Sequence, residues 1–405
     1  MKILHTSDWH LGRSLHGADL TPAFHQWCTW VDKYTQENNI DALLICGDVY
    51  DRSVPPTHIV ELFHNTLKKL LQHTTVIITS GNHDSPVRLG FGADFYTDSL
   101  HIYTDSRQSS TPVTISDKAG NTTFIYPLPY LDPDVERRRL APLHEDTGKP
   151  ELLERSHEAV MQAALANILH DIHTKEKNSH SKKHHYIVMA HAFITGGEAS
   201  NSENNIHIGG VDNIPSGLFR MGEENNGPLD YVALGHLHSP QKVGTKNDPL
   251  MFYSGSPIPF SFSEEKRTKS CVLLSFDTDG QLDTQIIPVP LWRPLATLED
   301  TLENLLSDAY LDHRESFTRI IVTNQKRPDR MHEQLRAYYP HVLEISFRPP
   351  HTGSRDTIHR TIRNRDPREL LYSFVQEASG DITPEEQKIM NDTWEEANQL
   401  LGEEK

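Results

Sequence analysis

The chain has 405 residues, 36% hydrophobic and 23% charged, enough for two or three domains with a sizeable core in at least one, which excludes a disordered or fibrous protein. A formal net charge of −17 excludes a surface broadly coated with nucleic acid, because phosphate binding draws on cations; a local basic groove, or a partner that supplies one, stays open. No apolar run approaches the roughly 20 residues of a membrane span. Cys28, Cys46 and Cys271 are too few, and odd in number, for a disulfide framework, and read as reduced core residues of a cytoplasmic protein. Asp8 and His10 follow the first residue too closely for the apolar stretch of a signal peptide.

In chain order, Lys2 to Thr6 reads as a strand closing on Ser7-Asp8-Trp9-His10. Phe24, Trp27, Cys28, Val31 and Tyr34 recur at helical spacing and predict a helix over 22–37. Ala42 to Cys46 is a second strand, ending in Gly47-Asp48. Pro55-Pro56 suit the first turn of a second helix with an Ile59, Leu62, Phe63, Leu67, Leu70, Leu71 stripe. Val76 to Thr79 is a third strand, ending in Gly81-Asn82-His83-Asp84. This β-α-β-α-β order argues for parallel strands joined by crossover helices. Residues 111–130 read as β-like around a turn at 118–121, 151–171 as helix, 173–185 as a polar loop, and 186–190 as a buried strand ending at His191. Residues 194–217, rich in Gly, Asn and Ser, read as a long functional loop over a site. Tyr231 to Leu234 is a strand ending in Gly235-His236-Leu237-His238, and 271–276 is another.

Three prolines in 288–294 mark a boundary. Beyond it, 298–307 and 328–338 read as helices, and 317–323 and 342–347 as strands. A polar linker, 349–365, carries Arg355, Arg360, Arg363 and Arg365. Asp366-Pro367-Arg368-Glu369 and Thr383-Pro384-Glu385-Glu386 both have the form of a capped helix start with Pro at the first position and Glu at the third. Met390, Trp394, Ala397 and Leu401 form a stripe on the last helix, which stops at Gly402.

The chemistry lies at the strand ends. Asp8, His10, Asp48, Asn82, His191, His236 and His238 are candidate ligands. Imidazoles, carboxylates and an amide suit Mn²⁺, Fe or Zn better than Ca²⁺, and exclude a thiolate site. Seven ligands are too many for one tetrahedral ion and right for two, with Asp48 as the bridge. His83, beside Asn82, is the expected general acid at the leaving oxygen, and Asp84 is expected to orient its imidazole. Asp51 reads as a turn or capping residue. Each motif alone is common; their recurrence after five apolar strands carries the reading.

Asp8-X-His10, Gly47-Asp48-X-X-Asp51, Gly81-Asn82-His83-Asp84, His191 and Gly235-His236-X-His238 resemble the calcineurin-like metallophosphoesterase superfamily. Within it, residues 3–12, 233–236 and 255–259 resemble the SbcD family, the nuclease subunits of bacterial SbcCD complexes. The resemblance implies an α/β fold: a four-layer sandwich of two mixed β-sheets over 1–287, a small α+β capping domain over 288–350, and a linker and C-terminal helices over 351–405 that grip the SbcC-type ATPase. It implies two Mn²⁺, for which Mg²⁺, Fe or Zn could substitute. One would be held by Asp8, His10, Asp48 and His238, the other by Asp48, Asn82, His191 and His236, with His83 handling the leaving group. The implied activity is exonuclease action on double-stranded DNA ends and endonuclease action on hairpins and single strands, in repair, recombination and replication, by a homodimer within a heterotetramer. Archaeal and eukaryotic relatives often carry histidine where this chain has Asp51, so Asp51 is given no catalytic role. No Gly-X-X-X-X-Gly-Lys-Ser/Thr loop occurs, so ATP dependence would come from the partner. Two rivals share the metal core: a small-molecule phosphatase or cyclic-nucleotide phosphodiesterase, which would not need 290–405, and a non-catalytic scaffold.

Overall fold

A computed structural model describes the chain except for residues 97–98, 118–119, 145–147, 179–182, 204–212, 223–226, 351–370, 373–382, 384–385 and 395–405. The expected arginines of the linker, the helix start at 366–369, Ala397, Leu401 and Gly402 therefore lie outside the described residues, as do 118–119 of the expected turn.

The strands are β1 (Lys2–Thr6), the short ribbon β2 (Ser14–Leu15) and β3 (Ala18–Asp19), β4 (Ala42–Cys46), β5 (Thr75–Thr79), β6 (Leu100–Tyr103), β7 (Val113–Ser116), β8 (Thr122–Pro127), β9 (His184–His191), β10 (Tyr231–Gly235), β11 (Gln241–Val243), β12 (Leu250–Tyr253), β13 (Ser270–Phe276), β14 (Leu282–Pro288), β15 (Leu295–Asp300), β16 (Phe317–Val322) and β17 (Val342–Phe347). The helices are α1 (Thr21–Glu37), α2 (Thr57–Leu70), α3 (Pro86–Leu89), α4 (Pro133–Arg139), α5 (His157–Asn178), α6 (Leu302–Leu305) and α7 (Met331–Tyr338).

Two six-stranded mixed sheets dominate, in the orders β14-β13-β1-β4-β5-β6 and β11-β12-β10-β9-β8-β7. In the first, β1, β4, β5 and β6 are parallel and β13 runs antiparallel to β1; in the second, β8, β9, β10 and β12 are parallel. Central strands must be apolar on both faces, and β4 is buried along its whole length. Alternate residues divide between two cores. Leu43, Ile45, Val76 and Ile78 pack outward on Phe24, Trp27 and Val31 of α1 and Ile59, Leu62 and Phe63 of α2. Leu44, Cys46 and Ile77 face the second sheet's Ile187, Met189, Tyr231 and Ala233. The outer face of the second sheet carries Val188, Val232 and Leu234 against Val160, Ala164 and Ile168 of α5. The layers are thus α/β/β/α, the calcineurin-like phosphoesterase architecture. All three cysteines are buried and unpaired.

A third, all-parallel sheet, β15-β16-β17, has its own core of Leu298, Ile320, Val322 and Leu335, while Leu295 and Phe317 join the core under α1. Residues 1–323 and 328–347 form one compact unit; 324–327 and 348–405 form another. In the latter, 386–394 is helical. Thr383 Oγ1 accepts the Glu386 N–H at 3.3 Å while the Glu386 carboxylate accepts the Thr383 N–H at 2.8 Å, the reciprocal cap expected there.

Several expectations are corrected. Residues 298–300 are strand, not helix, because β15 pairs along its length with β16; Thr301 then caps the short α6 by accepting from the Asn304 N–H. Helix α5 begins at His157 rather than 151 and runs on to Asn178, through the first half of the expected polar loop. The segment 328–330 precedes α7.

Candidate metal centre

Parallel strands bring their carboxyl ends to one edge of a sheet, and ligands bind outside that edge. Here β1, β4 and β5 of one sheet and β9 and β10 of the other end at the same place, so Asp8, Asp48, Asn82, His191, His236 and His238 meet although they span most of the chain. The turns are tight: Asp8, His10, Asp48 and His236 hold positive φ of 53°, 41°, 50° and 105°. Non-glycine residues adopt such angles rarely, and mostly at functional sites.

Asp48 lies at the centre. Its Oδ2 is 3.4 Å from His10 Nε2 and 3.5 Å from His191 Nε2, and its Oδ1 accepts the His83 N–H at 2.9 Å. His10 Nε2 is 3.0 Å from His238 Nε2. Asn82 Oδ1 is 3.1 Å from His191 Nε2 and 3.0 Å from His236 Nδ1. Asp8 accepts hydrogen bonds from Ser7 Oγ at 2.6 Å and from the His236 N–H at 3.0 Å. Three clusters have ligand atoms within 4.8 Å of one another: Asp8, His10 and His238; His10, Asp48 and His83; Asp8, Asp48 and His191. Asp48 belongs to two of them. All seven expected ligands are brought together.

The donor set fits cations. His191 Nδ1 lies 2.9 Å from the Cys46 carbonyl and must donate to it. In the neutral ring, the Nε2 lone pair then points at Asp48 Oδ2 and Asn82 Oδ1, which also only accept. Acceptors aimed at one another need a positive charge among them. Without a metal, a proton takes that role: burial would lower the pKa of His191, but Asp48 beside it outweighs this and carries it up to about 9. Burial would raise Asp48 too, yet the His191 and His10 imidazoles hold it well below the usual carboxylate range. Burial, opposed by His191 and reinforced by Asp48, pushes Asp8 up to about 7. His10 Nδ1 is buried without a hydrogen-bond partner, with Asp51 Oδ1 3.6 Å away.

His83 is half-buried at the mouth, its Nδ1 3.0 Å from the Asp51 carbonyl. The expectation that Asp84 orients this ring is corrected. The Asp84 carboxylate accepts the N–H groups of Val49 (3.1 Å), Tyr50 (3.0 Å) and Gly81 (3.0 Å), so it ties the turn after β4 to the turn after β5. That use of its oxygens leaves the Asp51 carbonyl as the partner of His83.

Sequence reasoning missed several contributors. Arg13 donates to the Ser202 carbonyl at 2.7 Å and lies over the Phe260 ring at 4.9 Å. Ser202 Oγ is 2.7 Å from His238 Nδ1, and Glu203 accepts the His238 N–H; both stand in the described part of the long loop expected over the site. The cleft above these groups, about 560 Å³, is also lined by His16 and by Arg319 of β16. None of these residues sits in a repeating pattern, so no local signal marked them beyond the loop's composition.

A family model for calcineurin-like phosphoesterases matches residues 1–240, and one described as the type 5 capsule protein repressor C-terminal domain matches 291–379. A Staphylococcus epidermidis protein whose name makes it the SbcD component of the SbcCD nuclease is 26% identical over 380 residues, 93% of this chain and 93% of its own. One of the same name from Staphylococcus saprophyticus subsp. saprophyticus is 28% identical over 353 residues, 85% of this chain and 84% of its own. A solved dimetal phosphatase from Danio rerio aligns with 72% of this chain and 99% of its own at 9% identity and a TM-score of 0.39, too low to carry an argument.

Proposed function

Because this chain belongs to the calcineurin-like phosphoesterase family, we propose that it is the nuclease subunit of an SbcCD-type complex, a Mn²⁺-dependent phosphodiesterase that cuts DNA at duplex ends and hairpins. The observation that carries the reading is the meeting of seven strand-end donors around Asp48. Relatives named as SbcCD nuclease subunits, alike in length and similar over most of the chain, support the substrate and the ATPase partner. In this reading 1–287 is the nuclease body, 288–350 the cap, and 351–405 the partner-binding segment of a cytoplasmic heterotetramer.

Asp8, His10, Asp48 and His238 would hold one ion, and Asp48, Asn82, His191 and His236 the other. When bound, two divalent cations supply an activated water and neutralise charge on the phosphoryl oxygens. Imidazole, carboxylate and amide donors suit Mn²⁺, with Mg²⁺, Fe or Zn as substitutes. The protein's own residues do the rest. Arg13, His16 and Arg319 line the cleft and offer cations to the DNA backbone, a local exception to the acidic surface. His83 gives its Nδ1 hydrogen to the Asp51 carbonyl, so its ring turns Nε2 outward. From there the imidazolium hands a proton to the leaving oxygen as the P–O bond breaks. Its backbone N–H on Asp48 ties the acid to the ligand turn.

The test is cleavage of labelled hairpin DNA with Mn²⁺, comparing wild type with His83→Gln, with and without the ATPase partner. The variant is expected to bind Mn²⁺ normally and to lose cleavage by roughly 10²–10⁴-fold. Unimpaired cutting by the variant overturns the role of His83. A wild-type complex that hydrolyses small phosphodiesters but no DNA overturns the nuclease.

A further inference from the structure

Resting on that metal-centre reading, we propose that Ser202, Glu264 and Lys269 form a buried relay that sets the tautomer of His238 and holds its ring for the metal, which makes them positioning residues of the centre. Glu264 and Lys269 are each 1% exposed. An ammonium has three N–H groups and no lone pair. Those of Lys269 go to the His238 carbonyl at 2.8 Å, to Ser256 Oγ at 2.8 Å and to Glu264 Oε2. Glu264, paired with this cation, acts as an acceptor, and its Oε1 takes the hydrogen of Ser202 Oγ at 2.7 Å. A serine hydroxyl has only one hydrogen to give. Its oxygen is then left to accept, from Ser200 Oγ at 2.6 Å and from His238 Nδ1 at 2.7 Å.

The polarity of the chain is forced by its first member. Lysine can only donate, the carboxylate can only accept, and the serine that donates to the carboxylate must accept from the imidazole. His238 therefore carries its hydrogen on Nδ1 and turns the Nε2 lone pair inward, toward His10 Nε2 at 3.0 Å. The main chain of His238 is held by neighbouring groups: its carbonyl by Lys269 and its N–H by Glu203. A fully buried ion pair adds little net stability in general. Here it gives direction to a hydrogen-bond chain that ends on a ligand, the arrangement that orients metal-bound histidines.

The test is Mn²⁺ titration calorimetry on the full chain, with ¹⁵N spectra of the His238 imidazole in the metal-free protein. Ser202→Ala, at a half-buried position, is expected to weaken the ion held through His238 by on the order of 10-fold and to leave the other ion's affinity unchanged. Ser202→Thr, which keeps the hydroxyl, is expected to restore it. The spectrum is expected to show the Nδ1–H form. Wild-type affinity at both ions in Ser202→Ala, equal losses in the Ala and Thr variants, or a hydrogen on Nε2 overturns the relay. Fewer than two ions bound by the unsubstituted chain overturns the metal centre itself and the relay with it, a failure visible before any substitution is made.

Discussion

At Gly47, Gly81 and Gly235 an added methyl group would run into His191, into the Asp48 carboxylate and into the Cys46 carbonyl respectively. The glycines are thus part of the centre's geometry, beyond the turn at Gly47 with its φ of 81°. Gly81→Ala is expected to push Asp48 off its place, to cost about 1–3 kcal/mol of stability and to weaken both Mn²⁺ ions; urea denaturation and calorimetry check it. The strand-end glycines were plain in the sequence, but their collision partners were not, because those partners come from other strands. His5 shows a second kind of residue that sequence passes over. It is fully buried between the two sheets, its Nε2–H on the Leu234 carbonyl at 3.1 Å and its Nδ1 accepting from Tyr231 Oη at 3.0 Å. Burial outweighs the Leu234 bond and lowers its pKa to about 3. A depressed folded-state pKa means that the stability from neutral His5 is complete above the unfolded value near 6.5 and is lost as pH falls toward 3. Between pH 8 and pH 5.5 the wild type is expected to lose about 1.4 kcal/mol more than His5→Gln, measured by denaturant titration at each pH.

Helical periodicity made α1 and α2 readable, since each has one apolar stripe and one sheet face to cover. Phe24 of α1 is fully buried in that contact. Phe24→Ala is expected to cost about 3–5 kcal/mol while Mn²⁺ affinity stays unchanged, because the cavity opens on the outer face of the first sheet, away from the strand ends; a chemical-denaturation midpoint and a calorimetric titration together test both halves. Periodicity misled at 298–300, where Leu298, Leu302 and Leu305 share helical spacing but β16 offers a parallel ladder to the first of them. Local pattern cannot see a strand partner 22 residues downstream (Leu295 pairs with Phe317). The ends of α5 were missed for the opposite reason: a polar, lysine- and histidine-rich turn continues a solvated helix without adding an apolar signal.

At the scale of the molecule, the proline-rich boundary does not separate two independent cores. Leu295 and Phe317 of the third sheet pack in the core beneath α1, with Leu20 and Trp27. A chain ending at 287 is therefore expected to lose its cooperative thermal transition. A chain ending at 350 is expected to keep that transition and both Mn²⁺ ions, and to lose capture of the ATPase partner; calorimetric melting and a pull-down test the two truncations. By itself the sequence determined the seven donors, their strand-end positions and the four-layer sandwich. An apolar strand followed by a polar turn places its last residues at the sheet's carboxyl edge whatever packs around them. Only the tertiary structure decided what each side chain does there. It gave Asp84 to three backbone amides, set the Asp51 carbonyl behind His83, and led a lysine's charge through Glu264 and Ser202 to His238. Those partners lie on loops far apart in the chain, and their meeting depends on two sheets stacking face to face, a condition no local run of residues encodes.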